Sequence, residues 1–363
     1  MASDTASTPG PCADVAVVIL NWNGRRWLEK FLPTVLAHAD GATVVVADNA
    51  STDDSVELVG RAFPRVQLIQ NATNLGFCEG YNQALEVLHT TAAFRYYVLL
   101  NSDVEVTANW LPPLRALLEQ QPSVAAVQPK IRQYSADVVE RAQFEYAGAG
   151  GGYLDRLGYP FCRGRLFDTL ETDRGQYDDS RPVAWATGAC LLVRATAWHA
   201  MDGLDTAYFA HMEEIDLCWR LWNAGHEVWY YGGSTVFHVG GGTLAKSNPH
   251  KTYLNFRNGL ALVYKNSTAA ELPGVLVQRL LLDWVAALRL LTQGQVADCR
   301  AVLRAHWYVA RHVRGWQQRR RQFPPRLRID ERPGVYLGSL VWAYFAKGKR
   351  AFPALSRKLF NKA

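Results

Sequence analysis

The 363-residue chain has only six cysteines, scattered and never in a C-x-x-C spacing. It therefore carries no disulfide framework and reads as a protein of a reducing compartment. No G-x-G-x-x-G and no Walker sequence occurs, so neither dinucleotide nor P-loop binding is supported. An unbroken apolar stretch long enough to span a bilayer is also missing. Residues 272–291 come nearest, but Arg279, Asp283 and Arg289 interrupt them, which makes the segment an amphipathic helix. Residues 1–14 show no basic region followed by an apolar run and are expected to form a short disordered leader, not a signal peptide.

Acidic side chains are scarce at one end. From Lys246 onward 22 Lys and Arg stand against 5 Asp and Glu, whereas residues 1–245 carry 17 against 28. A basic tail on a mildly acidic body points to an anionic partner. No nucleic-acid recognition module accompanies the charge, which leaves an anionic membrane surface. Arg300, Arg304, Arg311 and Arg314 recur at helical spacings beside Leu303, Trp307 and Ala310, and Trp316, Arg319, Arg320, Arg321 and a Lys347-to-Arg350 cluster follow. Residues 267–363 are thus expected to be a basic amphipathic helical tail, an interfacial helix pair or else a solvated bundle packed on the core.

Before that tail, apolar runs alternate with helical stretches: strands at 15–20, 43–47, 66–69 and 96–100, with helices from about 24–27, at 55–62 and at 76–88. Such alternation predicts an α/β fold with a doubly wound, mostly parallel sheet. Residues 130–181 are glycine-rich and weakly periodic and read as a loop-rich insertion. Regular structure resumes at 183–193, at a helix over 213–224 and at a strand over 227–231 ending in Gly232-Gly233.

The strand at 96–100 runs straight into Asn101-Ser102-Asp103, delivering a carboxylate to the carboxyl edge of the sheet, where ligands bind in such folds. Asp103 there can hold a hard cation that in turn holds phosphate oxygens. Equally, the three residues can start a turn or cap a helix. Asp48 follows another strand and can accept hydrogen bonds from a base or ribose, while Asn49 and Ser51 hold the turn and Asp53 or Asp54 caps the next helix. Gly76 and Gly80, after Asn74, flank a helix start whose free amides suit anionic groups. Glu213, Glu214 and Asp216 crowd the head of another helix. Asp216 can pair with Arg220, and of the two glutamates one can cap while the other faces a cleft as a general base. His238, before three glycines on an expected mobile loop, is either structural or a nitrogen donor to the same cation.

In order and wording these elements resemble the inverting, GT-A-fold glycosyltransferases of family 2, especially their rhamnosyltransferase-like bacterial branch. The matching stretches begin with residues 17–23 (VVILNWN), 46–53 (VADNASTD), 74–77 (NLGF) and 100–103 (LNSD). They continue with 187–190 (TGAC), 213–220 (EEIDLCWR) and 238–241 (HVGG), then Arg257-Asn258 and Lys265-Asn266, and so extend over residues 15–266. The resemblance implies a glycosyltransferase domain over 15–266, with a nucleotide-binding half at 15–127 and an acceptor half at 128–266. It assigns donor contacts to Asn21, Asn23, Asp48, Asn49, Ser51, Asn74, Gly76, Asn101, Ser102 and Asp103, and the acceptor side to Thr187 and Gly188. Asp103 and His238 would hold Mg²⁺ or Mn²⁺. Glu214 falls on the acceptor-activating base, with Glu213 the alternative and Asp216 beside them. Two positions depart from the family pattern: Asn101 replaces the first aspartate of its D-x-D motif, and Glu214 replaces an aspartate. Implied partners are a dTDP-, UDP- or GDP-linked sugar and a glycan or polyprenyl-linked acceptor, at the cytoplasmic face of the membrane. A non-catalytic sugar-nucleotide-binding homologue and a sugar nucleotidyltransferase are the competing readings. A processive synthase would show transmembrane helices and a Gln-x-x-Arg-Trp motif, and the sequence has neither.

Overall fold

Hydrophobic strands that must be covered on both faces organise the molecule. The computed structural model describes residues 10–240 and 248–361; the expected leader residues 1–9 and the glycine loop after Gly240 lie outside the described residues. The chain opens with β1 (Val15–Asn21), α1 (Arg25–Ala37), β2 (Thr43–Asp48), α2 (Ser55–Ala62), β3 (Gln67–Gln70), α3 (Gly76–Thr91) and β4 (Tyr96–Asn101). Strands β3, β2, β1 and β4 lie side by side and parallel. Alternate residues of each strand feed opposite layers. Val15, Val17, Tyr96 and Val98 pack with Leu28 and Leu32 of α1, while Ala16, Val18, Tyr97 and Leu99 pack with Tyr81 and Leu85 of α3. Every residue from Tyr96 to Leu100 is fully buried, which is why this half writes itself as continuous apolar runs.

The sheet continues through β5 (Val104–Val106), α4 (Pro112–Gln120) and β6 (Val124–Gln133). After an excursion it takes in β11 (Ser180–Pro182), β12 (Cys190–Arg194), the short α6 (Ala195–Ala200), α7 (Glu213–Asn223) and β13 (Glu227–His238). The order is β3-β2-β1-β4-β12-β6-β13-β11, with β5 on β13. β12 runs antiparallel to both neighbours, so the sheet is mixed at its centre. Residues 183–189, the first part of the stretch expected to be regular, are irregular apart from an isolated bridge at Trp185. β13 does not stop at Gly232-Gly233: a register shift between Tyr231 and Thr235 absorbs the glycines, and the strand reaches His238.

The excursion is not the loop-rich insertion expected. After the single turn α5 (Val138–Arg141), β7 (Gly152–Asp155), β8 (Pro160–Cys162), β9 (Arg165–Leu166) and β10 (Thr169–Leu170) form a second sheet. Its strands are two to four residues long, too short for a readable alternation. The fifth strand comes from the far end of the chain: β14 (Val335–Tyr336) pairs in parallel with β7. Nor are residues 10–14 loose, since Cys12 is buried and its amide bonds Asp40.

Among the described residues four α-helices follow β13, namely α8 (Pro249–Asn266), α9 (Leu272–Thr292), α10 (Val296–Arg311) and α11 (Val313–Gln322), before β14 and a few short turns end the described chain. α8 packs on α10 and α7, and Trp316 of α11 reaches Tyr208 in the main core. Among the described residues no helix is long and apolar enough to cross a membrane. All six cysteines are free thiols, five of them buried.

Candidate active site

Strand register fixes the first wall of the site. Asn21 lies opposite Asp48, and Leu20 opposite Asn101, so three strand ends present polar residues along one edge. Asn21 Nδ2 donates to Asp48 Oδ1 (2.9 Å), and Ser51 donates to Asp48 through its amide (2.9 Å) and hydroxyl (2.6 Å). Asn21 Oδ1 is buried without a partner among the described residues, an acceptor still to be satisfied. Asn23, with φ +50°, accepts the Thr52 amide at 2.7 Å and clasps the two loops together. Asn49 bonds Gly76 O (2.8 Å) and Asn71 (2.9 Å), tying the start of α3 to the end of β2. Asn74 accepts the Gly76 amide, and Gly76 itself sits at φ +74°, a conformation that favours glycine. Asp53 accepts the amides of Arg25 and Ser55, joining α1 to α2, whereas Asp54 makes no side-chain cap and pairs with Arg25.

The second wall forms around Asp103. Its Oδ1 lies 3.2 Å from His238 Nε2, and His238 Nδ1 lies 3.1 Å from Glu145 Oε2. Burial opposes charge on the imidazole, but Glu145 and Asp103 on either side outweigh it and hold its pKa up at about 10. Asp103 is correspondingly lowered: burial opposes the shift, and the contact with His238 prevails. Asn101 Nδ2 stands 3.4 Å from the same His238 nitrogen, and Ser102 is half-buried beside Gly24. Glu145 had no sequence signal. It reaches His238 because the 143–145 segment lies against β6, the parallel neighbour of β13.

The third wall is the head of α7. Ala189 O accepts the Asn101 amide, which sets Thr187 and Gly188 beside the β4 end. Gly188 faces Phe77 and Glu214: a Cβ there would stand in ordinary contact with both, at 3.4 Å and 3.7 Å. The Thr187 amide bonds Gln128 and its hydroxyl accepts the Ala189 amide. Glu213 is buried, Glu214 keeps some solvent contact, and each has a buried Oε2 without a partner among the described residues. Burial, opposed by its own and the next backbone amide, raises Glu214 to about 7. Burial, and then the Glu214 charge, raises Glu213 well above the carboxylate range. Charge on both carboxyls at once is therefore disfavoured.

Asp216 belongs elsewhere. It is fully buried and bonds Tyr208, Arg220, Lys265 and Asn266, inside the protein and not at the cleft. The loop before α7 holds Phe209, His211 and Met212 at φ +67°, +70° and +76°, a costly run for residues with side chains. Asn258 restrains it by donating to the carbonyls of Tyr208, Ala210 and His211 at 2.7–3.0 Å, and Arg257 bonds Ala207 and Tyr208. Two concavities elsewhere, one between α3 and α11 and one at the amino end of the strands, include none of the site residues named above.

Residues 16–177 match the glycosyl transferase family 2 model. The chain is 30% identical over 230 residues to the N-acetylglucosaminyl-diphospho-decaprenol L-rhamnosyltransferase of Mycobacterium tuberculosis, covering 61% of this chain and 75% of that protein. It is 23% identical to rhamnosyltransferase WbbL of Escherichia coli over 62% of this chain and 83% of that one. Among solved structures, GalNAc-T7 with UDP, GalNAc and Mn²⁺ superposes with TM-score 0.53 at 15% identity, over 69% of this chain and 48% of that chain. The mannosyltransferase PcManGT of Pyrobaculum calidifontis with GDP-Man and Mn²⁺ does so with TM-score 0.50 at 14% identity, over 88% and 87%. These likenesses fit the GT-A type α/β fold expected from the sequence. The chain belongs to glycosyl transferase family 2 and is a glycosyltransferase similar to rhamnosyltransferases.

Proposed function

We propose that this enzyme moves a sugar from a nucleotide-sugar donor to a hydroxyl of a lipid-linked glycan by a single displacement that inverts the anomeric centre. The carrying observation is Glu214, a carboxylate at the cleft with an unpartnered oxygen and a pKa raised to about 7. A group poised there can take the acceptor's proton near neutral pH. Burial and the Glu214 charge favour a proton on Glu213, which would keep the pair to a single charge. The free Asn21 Oδ1 and Asp48 suit the N–H groups of a nucleobase. Phe77 and Gly188 border the space in which the acceptor hydroxyl would meet Glu214.

A divalent cation fits this reading as a two-donor site. Among the described residues no group of three His, Cys, Asp or Glu is arranged around a metal position, but Asp103 and, once its Nε2 gives up the proton that the two flanking carboxylates favour, His238 would offer an oxygen and a nitrogen 3.2 Å apart. Diphosphate oxygens and water would supply the remaining ligands. When bound, such an ion neutralises charge on the departing diphosphate. Glu145 would orient the His238 ring from its far side, as carboxylates do behind metal-bound histidines. We expect Glu145→Gln to weaken Mn²⁺ binding, measured by calorimetry in the presence of nucleotide, about 10- to 100-fold. Unchanged affinity would separate Glu145 from the site.

The relatives named for L-rhamnose transfer make dTDP-rhamnose the first donor to try, and a polyprenyl-diphosphate-linked sugar at the inner face of the cytoplasmic membrane the first acceptor. A β-linked donor would give an α-linked product. Depletion of a panel of UDP-, GDP- and dTDP-sugars, with and without chelator, tests the whole reading. One donor class should be consumed, and chelation should stop it. If every donor survives with every divalent metal, the non-catalytic homologue suggested by Asn101 and Glu214 takes its place. An anomeric proton spectrum showing retention would rule out the single displacement.

A further inference from the structure

Helix α9 is built inside out. Its buried positions are Val275, Arg279, Asp283 and Ala287, a row at i, i+4, i+8 and i+12 that carries two of the helix's three charges inward and leaves only Arg289 outside. Arg279 donates to Leu157 O (3.2 Å) and stacks on Tyr159 at 3.8 Å, while Asp283 accepts the Tyr159 hydroxyl at 3.0 Å and lies 3.2 Å from His306 Nε2. The outward face holds Val277, Leu281, Trp284, Val285 and Leu288, each 58–64% exposed. A helix at a protein–water boundary carries its apolar stripe inward, and this one reverses the rule.

The stripe does not stand alone. Trp284 Nε1 donates to His306 Nδ1 at 3.2 Å, which brings it to α10, where Leu303 and Trp307 are 53% and 63% exposed. At the other end Arg289 lies 4.9 Å over the Phe345 ring, joining a short π-helical turn (Trp342–Ala346) whose Trp342 and Phe345 are also exposed. A contiguous apolar surface of this kind marks an interaction site.

Charge selects the partner. Around the stripe Arg289, Arg300, Arg304, Arg311, Lys347 and Arg350 are all exposed. From residue 272 onward the carboxylates are Asp283, Asp298, Asp330 and Glu331, and all are engaged, the first as described, the second by Thr252, and the last two by the guanidinium and amide of Arg328. A second copy would bring the same positive rim against this one. An anionic bilayer brings the opposite charge. Arg289 over Phe345 and Arg311 over Trp307 (5.3 Å) keep cations beside aromatic rings, the pairing that suits the headgroup level. We infer that the outward face of α9, with Leu303, Trp307, Trp342 and Phe345, seats the enzyme on an anionic membrane, its apolar side chains entering the headgroup–acyl boundary and its arginines meeting lipid phosphates. This deepens the lipid-linked acceptor reading by naming the surface that meets the bilayer, in place of a generally basic tail.

Co-sedimentation of the full chain with vesicles of phosphatidylglycerol and phosphatidylcholine, against phosphatidylcholine alone, tests the assignment. Wild type should bind the anionic vesicles, and the triple variant Leu281→Gln, Trp284→Gln, Leu288→Gln should bind them at least tenfold more weakly. A second variant, Arg289→Gln with Arg300→Gln and Arg311→Gln, should lose most of the salt dependence while keeping the apolar contact. Depletion of the nucleotide sugar is measured in parallel without lipid, so an error in the donor reading shows there and not in sedimentation. Undiminished vesicle binding by the triple variant would overturn the inference. So would a wild-type dimer, dissolved by the triple variant, with no affinity for anionic vesicles.

Discussion

Glu214→Gln should abolish sugar transfer, lowering kcat by about a thousandfold or more, while leaving donor affinity nearly unchanged and the folded state as stable as before or more so. The amide keeps the shape of the side chain but cannot take a proton, and general-base catalysis is worth roughly 10²–10⁴ in rate. Stability moves the other way because the fold works against the charge. Glu214 has its pKa raised from 4.5 to about 7 by burial. Below the unfolded value the group is protonated in both states and costs nothing. As pH rises from 4.5 through 7 the unfolded chain releases the proton first, and folding loses stability. Above 7 the full cost is present, on the order of 1–3 kcal/mol, and Gln removes it. The measurement is a pair of curves on one protein: kcat against pH, climbing through about 7 in wild type and flat in the variant, and thermal midpoint at pH 8. A variant with normal turnover would pass the base to Glu213.

Asp216→Asn, two residues along the same helix, should do the reverse. Its carboxylate faces Lys265 Nζ and Arg220 Nε at 2.8 Å each, with Asn266 and Tyr208 on its other oxygen, all in the interior. Burial alone would raise its pKa; Lys265 and Arg220 overcome that and hold it down at about 2. Neutralising it leaves two buried cations with one carboxylate fewer, a change worth about 3–5 kcal/mol in comparable buried pairs. Asp205, still 2.6 Å from Lys265, keeps the loss toward the lower figure. The same network gives stability that is present above pH 3.8 and disappears as pH falls through about 2. Calorimetry should therefore show a midpoint lowered by roughly 6–15 °C, while protein kept cold and folded still consumes donor. Complete loss of turnover in folded Asp216→Asn would return this residue to the catalytic set.

Those neighbours illustrate what a sequence can carry. In EEID the helix-head carboxylates are plain to see, but which of them faces the cleft depends on Lys265 and Asn266, some 50 residues away. The parallel strands β1, β2 and β4 were legible because they are covered on both faces and so consist of unbroken apolar residues. The second sheet was not, because its strands are too short for periodicity and one of them arrives from residue 335. Asp48, Asn101 and Asp103 could be placed at the sheet edge from strand endings, and Asn21 was named by resemblance. Glu145 could not, since nothing local marks it and only the packing of 143–145 against β6 brings it to His238. Asn258 could be named by resemblance, yet its work, restraining three carbonyls of the strained loop ahead of Glu213, emerges only in the folded chain.

The pairing of β14 with β7 bears on how this enzyme can be re-engineered. Val335 and Tyr336 complete the second sheet, and the Leu340 amide bonds the buried carboxylate of Asp155 at 2.9 Å. The last hundred residues are thus not a detachable module. A truncation that removes this segment would unpick the second sheet, and a graft of the segment onto a relative would need β7 to travel with it. Chimaeras that respect that joint should express as soluble protein, and chimaeras cut at residue 267 should not.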